Sequence, residues 1–165
     1  EGFTIQNKDI LMMGAGGSAR SLCYKLAKYG AKSITITSRN AEKIHIIGDM
    51  VEHYTDTAFY DALDKTKPYD IVINTTPVGM HPNEGENPCK FMDIIHENMV
   101  CSDLIYNPRE TAFLKAAKGC GARIHNGLGM LVLQGILAFE LFCGVKLDHK
   151  KTYQQLMEQF DYYRI

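Results

Sequence analysis

The chain of 165 residues contains no tryptophan, and its absences narrow the function classes before any motif is read. Its five cysteines (Cys23, Cys89, Cys101, Cys120, Cys143) form no Cys-x-x-Cys pair. An odd, scattered set without a recognisable signal peptide is expected of a reducing cytoplasm, not of a disulfide scaffold. No apolar run reaches the roughly 18 residues needed to span a bilayer. The longest candidate, Leu128 to Cys143, is broken by Gln134 and Glu140. No basic run interleaves with aromatics, and 18 basic residues against 19 acidic leave a net charge of −1, so a nucleic-acid footprint is not supported. The six histidines show no ligand spacing, and no metal is expected. No Ser/His/Asp or Cys/His arrangement stands out from spacing. A bound phosphate would need a local device, since the overall field supplies none.

What is present is an alternation of strands and helices. Asp9 to Met13 is apolar and ends at glycine. Ser18 to Tyr29 places Ala19, Leu22, Cys23, Leu26 and Ala27 at helical spacing, with Gly30 as a stop. Ser33 to Ser38 alternates and is β-branched. Ala41 to Tyr54 reads as a helix weakened by Gly48, and Thr57 to Tyr60 as a short edge strand. Asp70 to Asn74 and Val100 to Leu104 are buried strands, and Ala122 to His125 a short last one. Thr111 to Lys118 reads as a helix stopped by Gly119; Leu128 to Cys143 and His149 to Tyr163 are two more. The longest loop, Thr75 to Lys90, is rich in Pro, Gly and Asn, and loops of that length are often functional. Strands separated by helices predict an α/β, doubly wound parallel sheet with right-handed crossovers, followed by additional C-terminal helices. Ligands in such folds sit at the carboxyl ends of the strands, where every motif below lies.

The first motif is Gly14-Ala15-Gly16-Gly17-Ser18-Ala19, a glycine-rich turn between a strand and a helix. Gly14 permits the tight turn, Gly16 lets a pyrophosphate approach the backbone, and small Ala19 lets the helix pack closely. The helix N-terminus offers unpaired N–H groups and a positive dipole end. Alone, the turn is also read as an ordinary strand–helix connection. The second strand ends in Ser38-Arg39-Asn40, with Lys43 one helical turn on. An NAD-selective site usually carries an acidic residue there, to hold the ribose hydroxyls. Here Arg39 can stack on adenine and pair with a 2′-phosphate, Lys43 adds charge, and Ser38 and Asn40 offer hydrogen bonds. The reading is NADP over NAD, against the bland alternative of solvated surface charges.

Three further strings close later strands. Asn74-Thr75-Thr76-Pro77-Val78-Gly79-Met80 would line the ribose and nicotinamide side of the cleft. Asp103-Leu104-Ile105-Tyr106-Asn107-Pro108 presents Tyr106, either to a polyol substrate or simply to solvent. Asn126-Gly127-Leu128-Gly129-Met130-Leu131-Val132-Leu133-Gln134 allows a backbone carbonyl at Gly127 to meet the nicotinamide amide. It also carries Gln134, lone among apolar neighbours and expected to be buried with a partner, either a hydroxylated ring or nearby backbone.

Together these strings resemble shikimate dehydrogenase, the NADP-dependent family that interconverts 3-dehydroshikimate and shikimate on the route to chorismate and the aromatic amino acids. The resemblance runs from about Gly2 to the Gly144 region. It implies that Gly14, Ala15, Gly16, Gly17 and Ser18 hold the pyrophosphate of NADP. It implies that Ser38, Arg39, Asn40 and Lys43 hold its 2′-phosphate, with Asn74, Thr75 and Thr76 along the cofactor. Leu104 and Gly127 would touch the nicotinamide end, and Tyr106 and Gln134 would contact shikimate. The family's amino-terminal substrate domain, with its catalytic lysine and aspartate, has no counterpart in these residues. Glu1-Gly2-Phe3 resembles the residues just past the family's Asn-Thr-Asp string, and the stretch from Gly2 to Gly14 is short for the family. The implied organisation is an NADP-binding domain over 1–126, and C-terminal helices over 127–165 that would pack on that absent domain. Leu128, Leu131, Ile136, Leu137 and Phe139 would then lack a partner, so an exposed apolar patch or self-association, as in a homodimer, is expected. Alternatives are a stand-alone NADP(H)-binding module without catalysis, a quinate/shikimate dehydrogenase, and a glutamyl-tRNA reductase-like domain; Tyr106 and Gln134 favour polyol acids over the last.

Overall fold

A computed structural model describes residues 4–53 and 57–162. Glu1-Gly2-Phe3, Tyr54 and Tyr163 lie outside them. The order is β1 (Asp9–Met13), α1 (Gly17–Lys28), β2 (Ser33–Thr37), α2 (Ala41–Val51), β3 (Ala58–Tyr60), β4 (Ile71–Asn74), β5 (Val100–Asp103), α3 (Ala112–Gly119), β6 (Arg123–His125), α4 (Leu128–Cys143) and α5 (His149–Tyr162). The six strands form one sheet in the order β3-β2-β1-β4-β5-β6, and every pairing is parallel. The doubly wound sheet expected from the alternation is therefore present.

The apolar runs become strands because both faces of the sheet are covered. All five residues of β1 are buried. On one side Ala19, Cys23, Leu26, Ile44, Ile47 and Val51 of α1 and α2 pack on Ile10, Met12, Ile34 and Ile36. Gly48, predicted to weaken α2, is instead a close-packing position: a Cβ there would stand 2.9 Å from the Phe59 ring. On the other side Phe113, Leu114 and Ala117 of α3 pack on Leu11, Val72 and Cys101. Burying each such large side chain contributes about 1.5–3 kcal/mol.

The structure departs from strict alternation between β4 and β5. No α-helix covers that crossover; it holds a single 3₁₀ turn at Met92–Ile94. Cys89, Phe91, Ile95 and Met99 still enter the core from it. Boundaries differ slightly elsewhere: Ser38 and Leu104 lie just past their strands, and Thr111 caps α3 through Oγ1, which accepts the Leu114 N–H.

The last two helices pack on each other around Leu128, Val132 and Ile136, with Leu131, Leu147, Tyr153, Met157 and Phe160 beside them. The expected bare face is thus divided. Leu128 and Ile136 are buried and Leu131 partly so, because α5 folds back on α4. Leu137 and Phe139 are exposed, as are Leu133, Leu141 and Phe142, the last 86% so. No helix among the described residues is long and apolar enough to cross a membrane.

Candidate functional site

Parallel register brings the strand ends into one row. Met13 sits beside Thr37 on one side and Asn74 on the other, and Asn74 beside Asp103. The strand order reverses between β1 and β4, so the chain leaves β1 and β4 in opposite directions and opens a crevice there.

Gly14 begins the turn at that crevice with φ +103°, a backbone that an L side chain rarely adopts. Its N–H donates to the Thr37 carbonyl at 2.8 Å. A Cβ on Gly14 would stand 2.6 Å from Thr75 Oγ1 and 3.0 Å from Thr76 Cγ2. Ala15 is buried, whereas Gly16, Gly17 and Ser18 are exposed. Among the described residues, no atom beyond the chain neighbours and the helix's own backbone lies within 4 Å of the Cβ positions of Gly16 and Gly17, so a ligand can reach their backbone. No side chain caps α1, and its first turn carries no acid. The first bond of the helical ladder runs from Arg20 N–H to the Gly16 carbonyl. The preceding N–H groups are left for an anion, with the helix dipole behind them.

At the end of β2, Ser38, Arg39, Asn40 and Lys43 are all exposed. Asn40 caps α2: its Oδ1 accepts the Lys43 N–H at 2.9 Å. Ser38 Oγ accepts the Asn40 N–H at 3.3 Å. These two bonds order the turn that carries Arg39, while Arg39 and Lys43 have no ion-pair partner among the described residues. Glu42, exposed in the first turn of α2, is the nearest acid in sequence.

Asn74 is fully buried, and its side chain is engaged within the protein instead of lining the crevice. Its Oδ1 accepts from Thr76 N–H at 2.9 Å and Thr76 Oγ1 at 2.7 Å; its Nδ2 donates to Asp103 Oδ1 at 3.0 Å. Thr75 and Thr76 are half-buried at the crevice edge, with Thr75 Oγ1 donating to the Met13 carbonyl at 2.7 Å.

Gly127 abuts Leu104: a Cβ on Gly127 would overlap the Leu104 carbonyl oxygen. Its N–H donates to the Ile105 carbonyl at 3.1 Å. Leu104 and Met130 then join Gly17, Ser18, Ser21, Leu22 and Lys25 around a cavity of about 400 Å³. Sequence reasoning missed Ser21 and Lys25 as wall residues, although both follow Ser18 at helical spacing along one face of α1. Tyr106 is 45% exposed on the β5–α3 loop. Gln134 corrects an expectation: it is exposed, because α4 turns Val132 and Ile136 toward α5 and leaves position 134 outside that seam.

Sequence and fold comparisons show the family to which this architecture belongs. The family model for shikimate/quinate 5-dehydrogenase matches residues 2–111, and that for the shikimate 5′-dehydrogenase C-terminal domain matches 127–157. A shikimate dehydrogenase (NADP(+)) of Methanococcus aeolicus is 43% identical over 148 residues, covering 87% of this chain and 52% of that protein. A crystal structure of a shikimate dehydrogenase in complex with NADP+ superposes with a TM-score of 0.75 at 35% identity, covering 93% of this chain and 55% of the other. The Listeria monocytogenes shikimate 5-dehydrogenase, in complex with shikimate and NAD, gives 0.79 at 28% identity, covering 94% and 57%. The chain spans about half the length of the curated relatives it matches. A glycine turn open at the switch point of a 3-2-1-4-5-6 sheet, carried on a sequence this similar, places the chain in the shikimate/quinate 5-dehydrogenase family.

Proposed function

We propose that this chain is the NADP-binding portion of a shikimate dehydrogenase, an oxidoreductase interconverting 3-dehydroshikimate and shikimate. The observation that carries the reading is the pairing of two features at one sheet edge. One is the uncapped, glycine-open N-terminus of α1. The other is the turn after β2, where Arg39 and Lys43 stand ready for a second phosphate.

In this reading the N–H groups of Gly16, Gly17 and Ser18 hold the pyrophosphate, with Gly14 and Ala15 setting the turn. Arg39 stacks on adenine and, with Lys43, Ser38 and the Asn40 amide, binds the 2′-phosphate. Thr75, held by the Met13 carbonyl, and Thr76, held by Asn74, border the cofactor. The Gly127 backbone and Leu104 hold the nicotinamide end. Tyr106 and Gln134, both exposed, offer hydrogen bonds to the hydroxyls of shikimate. NADP supplies hydride chemistry when bound. The acid–base pair that moves the hydroxyl proton lies outside these residues, on an amino-terminal domain that covers Leu133, Leu137 and Phe142. Without that cover the chain self-associates, as in a homodimer. The buried thiols of Cys23, Cys89 and Cys101 suit a reducing cytoplasm.

Titration of the purified chain with NADPH and NADH tests the reading by nucleotide fluorescence. Tighter binding of NADPH is the expected result, and equal affinity overturns the NADP assignment. Shikimate-dependent NADPH formation by the chain alone would overturn the placing of the acid–base pair.

A further inference from the structure

We infer that Asp103 is the residue that positions the nicotinamide end of the cofactor site, holding the end of β4 and both ends of the β5–α3 loop to one carboxylate. It is fully buried at the end of β5 and has no cation partner among the described residues. Oδ1 accepts from Asn74 Nδ2 at 3.0 Å and from Ile105 N–H at 3.0 Å. Oδ2 accepts from Thr111 Oγ1 at 2.7 Å. Burial pushes the carboxyl above the usual aspartate range, with these three donors opposing it. A carboxylate buried among neutral donors alone is a weak device for stability. What it supplies here is geometry.

Each donor leads to a wall of the site. Asn74 precedes Thr75 and Thr76 and accepts both hydrogen bonds of Thr76. Ile105 follows Leu104, whose carbonyl lies against Gly127, and the Ile105 carbonyl accepts the Gly127 N–H. Leu104 and Met130 line the cavity that opens at Gly17 and Ser18. Thr111 caps α3 and closes the loop that carries Tyr106. Asp103 therefore sets the distance from the helix that would hold the pyrophosphate to the wall that would hold the nicotinamide. Arg39 and Lys43, at the far side of β1, receive nothing from it. The inference rests on the cofactor reading above.

The test separates the two ends of the cofactor. Calorimetry on the purified chain uses NADP+ and adenosine 2′,5′-bisphosphate, which keeps the 2′-phosphate end and lacks the nicotinamide. Asp103→Ala removes both acceptors, so Asn74, Ile105 and Thr111 all lose their common partner. It is expected to weaken NADP+ roughly tenfold and adenosine 2′,5′-bisphosphate by less than about twofold. Thr111→Val removes one donor and should show the same pattern; it carries the test if circular dichroism shows the first variant unfolded. Equal weakening of both ligands, or of neither, overturns the inference and leaves the cofactor reading standing. A wild-type chain that binds neither ligand overturns the cofactor reading and this inference with it.

Discussion

Thr75 Oγ1 donates to the Met13 carbonyl at 2.7 Å, so the exit of β4 is fastened across the crevice to the exit of β1. The Thr75 N–H reaches the same carbonyl at 2.9 Å. This doubled contact fills the space beside Gly14 and fixes the turn from which α1 starts.

Gly14→Ala is therefore expected to fail twice. The residue holds φ +103°, and the added methyl would stand 2.6 Å from Thr75 Oγ1. Strain of this kind costs about 1–3 kcal/mol, and relief requires moving either the turn or Thr75. The expected outcome is a lowered Tm together with loss of NADPH binding, read by thermal melts and fluorescence titration. Gly16→Ala is the control: among the described residues its Cβ meets nothing within 4 Å, so stability should hold while binding falls. A Gly14→Ala chain with wild-type Tm and affinity would show that the turn relaxes freely.

Arg39→Asp tests cofactor choice without touching the fold. Arg39 is exposed and unpaired among the described residues, so the melt should barely move. A hydrogen bond between charged groups contributes about 1.5–3 kcal/mol, which is roughly ten- to hundredfold in affinity. NADP+ affinity should fall by that much, with NAD+ affinity changing far less. Equal loss for both would mean that Arg39 does not meet the 2′-phosphate.

Acid should loosen the corner between α4 and α5. Glu140 is buried at the end of α4. Its Oε1 accepts the Leu147 N–H at 2.7 Å, and Oε2 faces His149 Nε2 at 3.1 Å and Lys146 Nζ at 3.5 Å. The Leu147 N–H first, then His149, holds its carboxyl below the usual glutamate range. A lowered folded pKa gives stability that is complete above the unfolded value and is lost as pH falls through the folded one. Below the ordinary glutamate range the wild-type advantage over Glu140→Gln should shrink. Thermal melts of both chains at pH 5, 4 and 3 check this. A gap that stays constant across the series would remove the ionised Glu140 from the account.

Much of this architecture is legible in the sequence alone. β1 and β4 are continuous apolar runs because both faces of a parallel sheet are covered. The glycine turn announces the switch point because only a residue without Cβ fits beside Thr75. The β4–β5 crossover is not legible. Cys89, Phe91, Ile95 and Met99 reach the core from irregular backbone, so their spacing follows neither helical nor strand period. Gln134 misleads for a related reason. Its apolar neighbours imply burial, but α5 covers only the Val132 and Ile136 side of α4. Asp103 is visible as a letter in a string, yet the partner that ties it to another strand, Asn74, lies 29 residues away, and neither helical nor strand spacing marks the pair.

The contact of Gly127 with Leu104 makes the sharpest steric prediction. Gly127 has ordinary right-handed backbone, φ −76°, so its glycine is demanded by space and not by conformation. Gly127→Ala would drive a methyl into the Leu104 carbonyl. Neither partner is a flexible side-chain end, so the start of α4 or the β5–α3 loop must shift. Overpacking of this kind typically costs about 1–3 kcal/mol. The shift would also open the wall that Leu104 and Met130 form opposite α1, so affinity for NADP+ should fall while adenosine 2′,5′-bisphosphate binds nearly as before. Melting and calorimetry on the same preparation read both effects. A variant that melts early yet keeps full NADP+ affinity would show that this wall is structural only. One that keeps both would mean that α4 can slide away from Leu104 at little cost.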